Sequence, residues 1–410
     1  MKQNIRNWIF SLLLEGTVGS LQAQTVDTLV VDTCATDTIV ELPWPQNLQA
    51  RLDTLTSDKM FDYTQLGLMV YDITADSTLY TYGAKQILRP ASTMKLLTAI
   101  TALDQLGIKH KFRTSLYYTG EVVDSVLVGD LYCVGGMDPL FDSTDMQAFS
   151  ASVKALGIHT VKGKLVDVNT FKDQDLLGEG WCWDDDNPSL SSLLINGKDD
   201  FISQFAQQLD KDSIFPDGPA EYAALPKDAV LLCQRSHSLE DVLVPMMKDS
   251  NNLYAESVFF QIAAATGNRP AKARHACAMI KQMISRLGLN PNNYRIADGS
   301  GLSLYNYLSA ELEVRLLRYA YRQAQVWEVL FPTLPVAGES GTLSKRMKGT
   351  AAAGNVCAKT GTLSGISSLA GYCTSDNGHQ LCFAIINQGV LRNSQGKNFQ
   401  DLVCLALCEP

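Results

Sequence analysis

Strand-like runs stand at both ends of this 410-residue chain, and helical runs fill much of the middle. Near the start, LGLMVYDI and TLYTYG flank a turn at Ala75-Asp76-Ser77 and predict a hairpin over residues 66–83. Near the end, residues 356–390 hold three strand-like pieces, and a helix is expected at about 397–408. Residues 239–330 read as helices. Such a chain buries itself best as one sheet built from both termini, with helices packed on it. From about 113 to 235 the character changes to short β-like runs broken by Gly and Asp turns, with one helix expected at about 143–157. This stretch reads as an inserted, mostly β domain over residues 113–238. The larger domain is then discontinuous, 40–112 and 239–408. With 46% hydrophobic and 19% charged residues, the chain has material for two cores.

Three polar motifs interrupt this pattern. Ser92-Thr93-Met94-Lys95 opens the run STMKLLTAITALDQLG, where Met94, Leu97, Ile100, Leu103 and Leu106 recur at helical spacing and Gly107 is the expected stop. Lys95 lies one turn on, over the same face as the Ser92 hydroxyl. A serine hydroxyl needs an adjacent base, and a lysine serves if burial depresses its pKa. The bland alternative is an N-cap serine and a surface lysine. Against it, Lys95 stands in a nearly all-apolar run, where an unused charge is expensive. Ser250-Asn251-Asn252 marks a polar turn between two helical runs. As chemistry, Ser250 would relay a proton to a leaving amine, and Asn252 would hold a substrate amide and Lys95. As structure, Asn251 or Asn252 would cap the second helix. Lys359-Thr360-Gly361 ends a strand-like segment. Lys359 would meet a substrate carboxylate, the Thr360 and Thr362 hydroxyls would orient it, and Gly361 would admit a substrate backbone. The Thr362 N–H would complete an oxyanion hole with that of Ser92. Second copies occur at Ser394-Gln395-Gly396-Lys397, which has loop composition, and at Ser375-Asp376-Asn377, which has hairpin-turn composition.

In chain order, S-x-x-K, S-x-N and K-T-G resemble the signature of serine acyl-transfer enzymes that act on D-alanyl peptides or β-lactams. The chain is similar to penicillin-binding proteins of the D-alanyl-D-alanine carboxypeptidase/endopeptidase type, the low-molecular-mass class with a large inserted region. Leu88-Arg89-Pro90-Ala91-Ser92-Thr93-Met94-Lys95 carries the resemblance first. Val134-Gly135-Gly136-Met137-Asp138-Pro139, Trp181-Cys182-Trp183-Asp184-Asp185, Asp298-Gly299-Ser300-Gly301-Leu302-Ser303, Gly341-Thr342-Leu343 and Ala358 to Gly365 extend it over roughly residues 40–404. Ser92 and Ser250 stand 158 residues apart, more than in the shorter relatives that lack the insert. Leu304 departs from the family, which often has a basic residue there. The resemblance implies an α/β (α+β) fold with a β-lactamase/transpeptidase-like sheet. It implies a serine peptidase that removes terminal D-alanine from peptidoglycan stem peptides, cleaves peptide cross-links with the same machinery, binds β-lactam antibiotics and uses neither cofactor nor metal. A β-lactamase would share the acylation, but no E-x-x-L-N-like segment lies between Ser250 and Lys359. A non-catalytic wall-binding module would have no need of a lysine buried beside a serine.

The remaining features bound the setting. The net charge is −9 and no basic stripe is visible, which argues against nucleic acid and anionic lipid as partners. Lys2 and Arg6 precede the apolar run Trp8 to Leu14, and Leu21-Gln22-Ala23 offers a cleavage site. Residues 1–23 thus read as a signal peptide, and the mature protein is expected in the periplasm. No apolar run approaches ~18 residues, so no membrane anchor is expected. Some of the ten cysteines could pair in an oxidising compartment, whereas Cys133, Cys277, Cys357 and Cys382 are expected as buried thiols. The five scattered histidines disfavour Ser–His–Asp chemistry.

Overall fold

The computed structural model describes residues 42–183, 187–218 and 220–409. Helix α1 (Gln46–Thr56) opens them, and the expected hairpin follows as β1 (Gln65–Asp72) and β2 (Ser77–Tyr82). A 3₁₀ turn, Ala91–Thr93, leads into α2 (Met94–Leu106), which Gly107 stops at φ 80°. Every residue of α2 from Met94 to Leu103 is buried, Lys95 included.

The next stretch folds as two sheets and two helices. Its strands are β3 (Lys111–Tyr118), β4 (Glu121–Val123), β5 (Val126–Val128), β6 (Leu131–Val134), then β7 (Thr160–Val161) and β8 (Leu165–Val168) beyond α3 (Ser143–Lys154). After α4 (Phe201–Lys211) come β9 (Phe215–Pro216), β10 (Glu221–Tyr222) and β11 (Val230–Ser238). The strands pair in the orders β10-β8-β6-β3-β11 and β4-β5-β7-β9. Helix α3 matches the expected one. Helix α4 is a correction, because only one helix was expected here. It forms because Phe201, Phe205 and Leu209 share one face, which packs on Phe141 and Phe149.

Five helices follow: α5 (Leu239–Lys248), α6 (Asn252–Ala265), α7 (Ala273–Arg286), α8 (Ala310–Arg322) and α9 (Ala324–Leu330). The chain closes with β12 (Cys357–Leu363), β13 (Ile366–Thr374), β14 (Gln380–Gln388) and α10 (Asn393–Cys408). The two ends of this region build one antiparallel sheet, ordered β12-β13-β14-β1-β2. Alternate side chains of β1 go to opposite faces. Leu68 and Val70 join α1 and α10, whereas Met69 and Tyr71 join α2, α6 and α8.

The final helix begins earlier than expected and takes in Ser394 to Lys397. The loop assigned to them is therefore corrected. Gly396 is helical because α10 lies against the sheet there: a Cβ on it would stand 2.8 Å from the Ser367 Cβ. Ser375 to Gly378 make the β13–β14 turn, closed by the Gly378 N–H on the Ser375 carbonyl at 2.8 Å. All nine described cysteines are free thiols, so the pairing considered for some of them is not found there; Cys277 is only half-buried. The signal-peptide residues lie outside the described region. No helix among the described residues is long and apolar enough to cross a membrane.

Candidate active site

The Ser92 segment is held in an unusual backbone shape. Ala91 sits in the left-handed region at φ 49°, which costs a non-glycine residue about 1 kcal/mol or more. Ser92 follows, half-buried, at the N-terminal end of α2. One turn on, the fully buried Lys95 points its Nζ at three oxygens: Ser92 Oγ at 3.0 Å, Asn252 Oδ1 at 2.8 Å and the Ser300 carbonyl at 2.8 Å. An ammonium spends all three protons there. A neutral amine still satisfies two acceptors and turns its lone pair to the Ser92 hydroxyl. Burial pushes the Lys95 pKa down to about 8, against the opposing pull of Asp298 and Glu256.

The S-x-N turn serves both readings of its asparagines. Asn251 caps α6, its Oδ1 accepting from the Tyr254 N–H. Asn252 is thereby left to bond Lys95. Ser250 stands in the left-handed region at φ 60°, and its Oγ accepts from Lys359 Nζ at 2.8 Å. Lys359 is fully buried and also donates to the Thr360 carbonyl at 2.8 Å. Burial holds its pKa well below the usual lysine range, and the charge of Lys95 adds to the effect.

Lys359, Thr360, Gly361 and Thr362 all lie on β12, one of the two edge strands of the five-stranded sheet. Thr360 donates its hydroxyl to Thr342 at 2.7 Å, and Thr362 is exposed. Gly361 packs closely against the Ser92 turn. A Cβ there would meet Ser368 Oγ at 2.1 Å, the Pro90 carbonyl at 2.7 Å and Ser92 N at 2.9 Å. The glycine thus lets the strand press against the Ser92 turn, with the Ser92 amide beside Gly361. A cleft of about 980 Å³ opens beside Asn251 and Asn252, with Phe141, Tyr254 and Asp200 in its wall.

Sequence reasoning singled out Ser92, Lys95, Ser250, Asn252, Lys359, Thr360, Gly361 and Thr362, and the structure brings all eight together. Ser394 and Lys397 lie apart from them on α10. What the reasoning missed is the support beneath Lys95. Glu256 is buried on α6 and accepts the Gly299 N–H at 3.0 Å and the Ser300 N–H at 2.8 Å. Burial and the Asp298 charge push its carboxyl up to about 8. Asp298 accepts from Gly301 N at 2.7 Å, Ser303 N at 2.6 Å and Trp181 Nε1 at 2.9 Å. Together they shape the loop whose Ser300 carbonyl faces Lys95. Glu256 stands in an apolar run, NLYAESVFFQIAAA, and so carried the same signal as Lys95.

A family model described as D-Ala-D-Ala carboxypeptidase 3 (S13) matches residues 48–196 and 187–407. The D-alanyl-D-alanine carboxypeptidase of Actinomadura sp. (strain R39) is 29% identical over 441 aligned positions, covering 83% of this chain and 81% of that protein. Among solved structures, penicillin binding protein 4 from Haemophilus influenzae superposes with a TM-score of 0.78 at 22% identity, covering 87% of this chain and 97% of that one. A structure of the same protein complexed with a β-lactam gives a TM-score of 0.72 at 23% identity, covering 86% and 98%.

Proposed function

The chain belongs to the D-Ala-D-Ala carboxypeptidase 3 (S13) family, and from that premise we propose that it is an exported serine DD-peptidase. In this reading it takes the terminal D-alanine off peptidoglycan stem peptides through an acyl-enzyme on Ser92. The observation that carries the reading is the wholly buried Lys95, its amine 3.0 Å from Ser92 Oγ and its pKa brought down to about 8. A lysine so placed is a base within reach of the proton it must take.

The geometry supports a cycle of four groups, Ser92, Lys95, Ser250 and Lys359. Lys95 accepts the Ser92 proton while Asn252 and the Ser300 carbonyl hold its other hydrogens. Ser92 Oγ attacks the carbonyl carbon of the penultimate D-alanine. The oxyanion is met by the Ser92 and Thr362 N–H groups. Ser250, bonded to Lys359, passes a proton to the leaving amine and is reprotonated with the one that Lys95 took from Ser92, which returns Lys95 to the amine. The substrate's terminal carboxylate binds at Lys359 and supplies the counter-charge that restores the ammonium suppressed by burial. Water then splits the ester and frees Ser92. A penicillin offers a strained amide and a carboxylate to the same groups, so it acylates Ser92 and stays.

The edge of β12 beyond Ala358, where its bridge to Val336 ends, supports a substrate backbone added as a further strand. Such binding leaves the length of the leaving group unrestricted, which suits cross-link cleavage as well. Residues 113–238 are assigned to an inserted domain, with 40–112 and 239–408 as the catalytic one. Residues 1–23 are assigned to a cleaved export signal, which predicts a mature periplasmic protein beginning near Gln24 when its N-terminus is sequenced from the host. The function itself is tested by D-alanine release from a stem pentapeptide. Wild type should release it, Ser92→Ala should not, and penicillin should inhibit with a long-lived adduct. Rapid penicillin turnover without D-alanine release would make the protein a β-lactamase and overturn the reading.

A further inference from the structure

Beneath the Ser92 turn lies a buried acid that the cycle above does not use. Glu313, on α8, is 1% exposed. Its Oε1 lies 2.5 Å from Thr93 Oγ1, and its Oε2 has no hydrogen-bond partner. The basic groups around it are committed elsewhere. Lys95 bonds Ser92, Asn252 and Ser300, and Lys359 bonds Ser250 and Thr360. On its own helix, Arg315 pairs with Glu311 and Arg318 with Asp76. From β13, the group that approaches is the neutral Ser368 hydroxyl, 3.4 Å from Thr93 Oγ1. Glu256 and Asp298, the site's other carboxylates, bond the glycine-rich loop. An ionised carboxylate here would be a buried charge with one hydroxyl for company, a state that burial strongly disfavours.

The proton count then assigns directions. The Thr93 hydroxyl has one hydrogen and three oxygens in reach: Glu313 Oε1, the Pro90 carbonyl at 2.8 Å and, furthest, Ser368 Oγ at 3.4 Å, whose own hydrogen goes to Pro90. With the acid protonated, Glu313 donates to Thr93 and Thr93 donates to Pro90. Ser368 Oγ gives the same carbonyl a second hydrogen bond at 2.5 Å. Pro90 immediately precedes Ala91, the residue held at φ 49°. A turn that disfavoured will relax unless its neighbours fix it.

We propose that Glu313 is a positioning residue for the Ser92 nucleophile, a protonated carboxylic acid that pins the Pro90–Thr93 turn through the Thr93 hydroxyl and so keeps Ser92 Oγ aimed from Lys95 toward the substrate. This rests on the acyl-enzyme reading of Ser92. Burial, which pushes the Glu313 carboxyl up to about 8, agrees with the protonated form.

The experiment measures acylation rate with a fluorescent penicillin, and kcat and KM for D-alanine release, in four variants. Glu313→Gln keeps a neutral donor toward Thr93 and should stay within about fivefold of wild type. Glu313→Leu should lower kcat and the acylation rate about ten- to a hundredfold with KM little changed, as expected of a misaimed nucleophile. Thr93→Val keeps the buried acid but cuts the relay. It should cost as much, which covers the case in which Glu313→Leu fails to fold. The double variant Thr93→Val/Glu313→Leu should be no worse than either single change. Natively folded Glu313→Leu and Thr93→Val that acylate like wild type would overturn the proposal, as would a Glu313→Gln as impaired as Glu313→Leu. Wild type that takes up no label would instead remove the Ser92 reading itself.

Discussion

At Lys95, burial and hydrogen bonding pull in opposite directions. Burial favours the amine, while Ser92 Oγ, Asn252 Oδ1 and the Ser300 carbonyl would all welcome an ammonium. Asp298 and Glu256 also raise the lysine's pKa, and the outcome is about 8. In the proposed cycle the base form is the working one, so acylation should speed up as pH rises through that value. Glu256→Gln keeps an oxygen for the Gly299 and Ser300 amides but removes a carboxyl that ionises near 8, over the same range as Lys95, and whose charge then favours the ammonium. The Lys95 pKa should then fall, and the acid limb of the acylation profile should move to lower pH. A limb that stays put or moves up would show that Lys95 does not set it.

Between elements, the tightest junction is β12 against the Ser92 turn. Two of the three atoms that a Cβ on Gly361 would strike belong to the backbone of Pro90 and Ser92, which cannot swing aside. Gly361→Ala should destabilise the fold by about 1–3 kcal/mol through overpacking. It should also cut acylation on the order of a hundredfold by shifting the nucleophile. Denaturation and acylation measured together check both, and a wild-type acylation rate would place the junction elsewhere. The chain announced many of its elements. Strand-like runs on either side of turn residues marked β1, β2, β13 and β14, and the spacing from Met94 to Leu106 with Gly107 behind it marked α2. Other features depend on tertiary contact and were not legible. Gly396 is helical because Ser367 lies against it, the partner of Lys95 at Ser300 is a backbone carbonyl, and Glu313 shares α8 with the ion-paired Glu311. The two S-x-x-K copies show the same division. Apolar neighbours distinguished Ser92 from Ser394, but the α10 conformation of the latter was read wrongly.

Across the whole molecule, the segment between β3 and β11 is tied into the site. Met137, Leu190 and Leu194 join the same core as α2 and α6, and Gln261 of α6 donates to the Gly136 carbonyl. Trp181 reaches furthest, giving its indole N–H to Asp298 at 2.9 Å beneath the Lys95 loop. Trp181→Phe removes that donor and should cost about 1.5–3 kcal/mol in urea unfolding, with slower acylation. A loss below ~0.5 kcal/mol would mean that the contact does not support the loop. The central claim, that a single serine on α2's leading turn forms the acyl-enzyme with a buried lysine as its base, meets its most direct test in a penicillin adduct mapped by mass spectrometry. Wild type should carry one penicilloyl group per chain, on the peptide containing Ser92. Ser394→Ala should be labelled as fully, and Ser92→Ala and Lys95→Arg should take up none. An adduct on any other residue, or labelling that survives Ser92→Ala, would contradict the account.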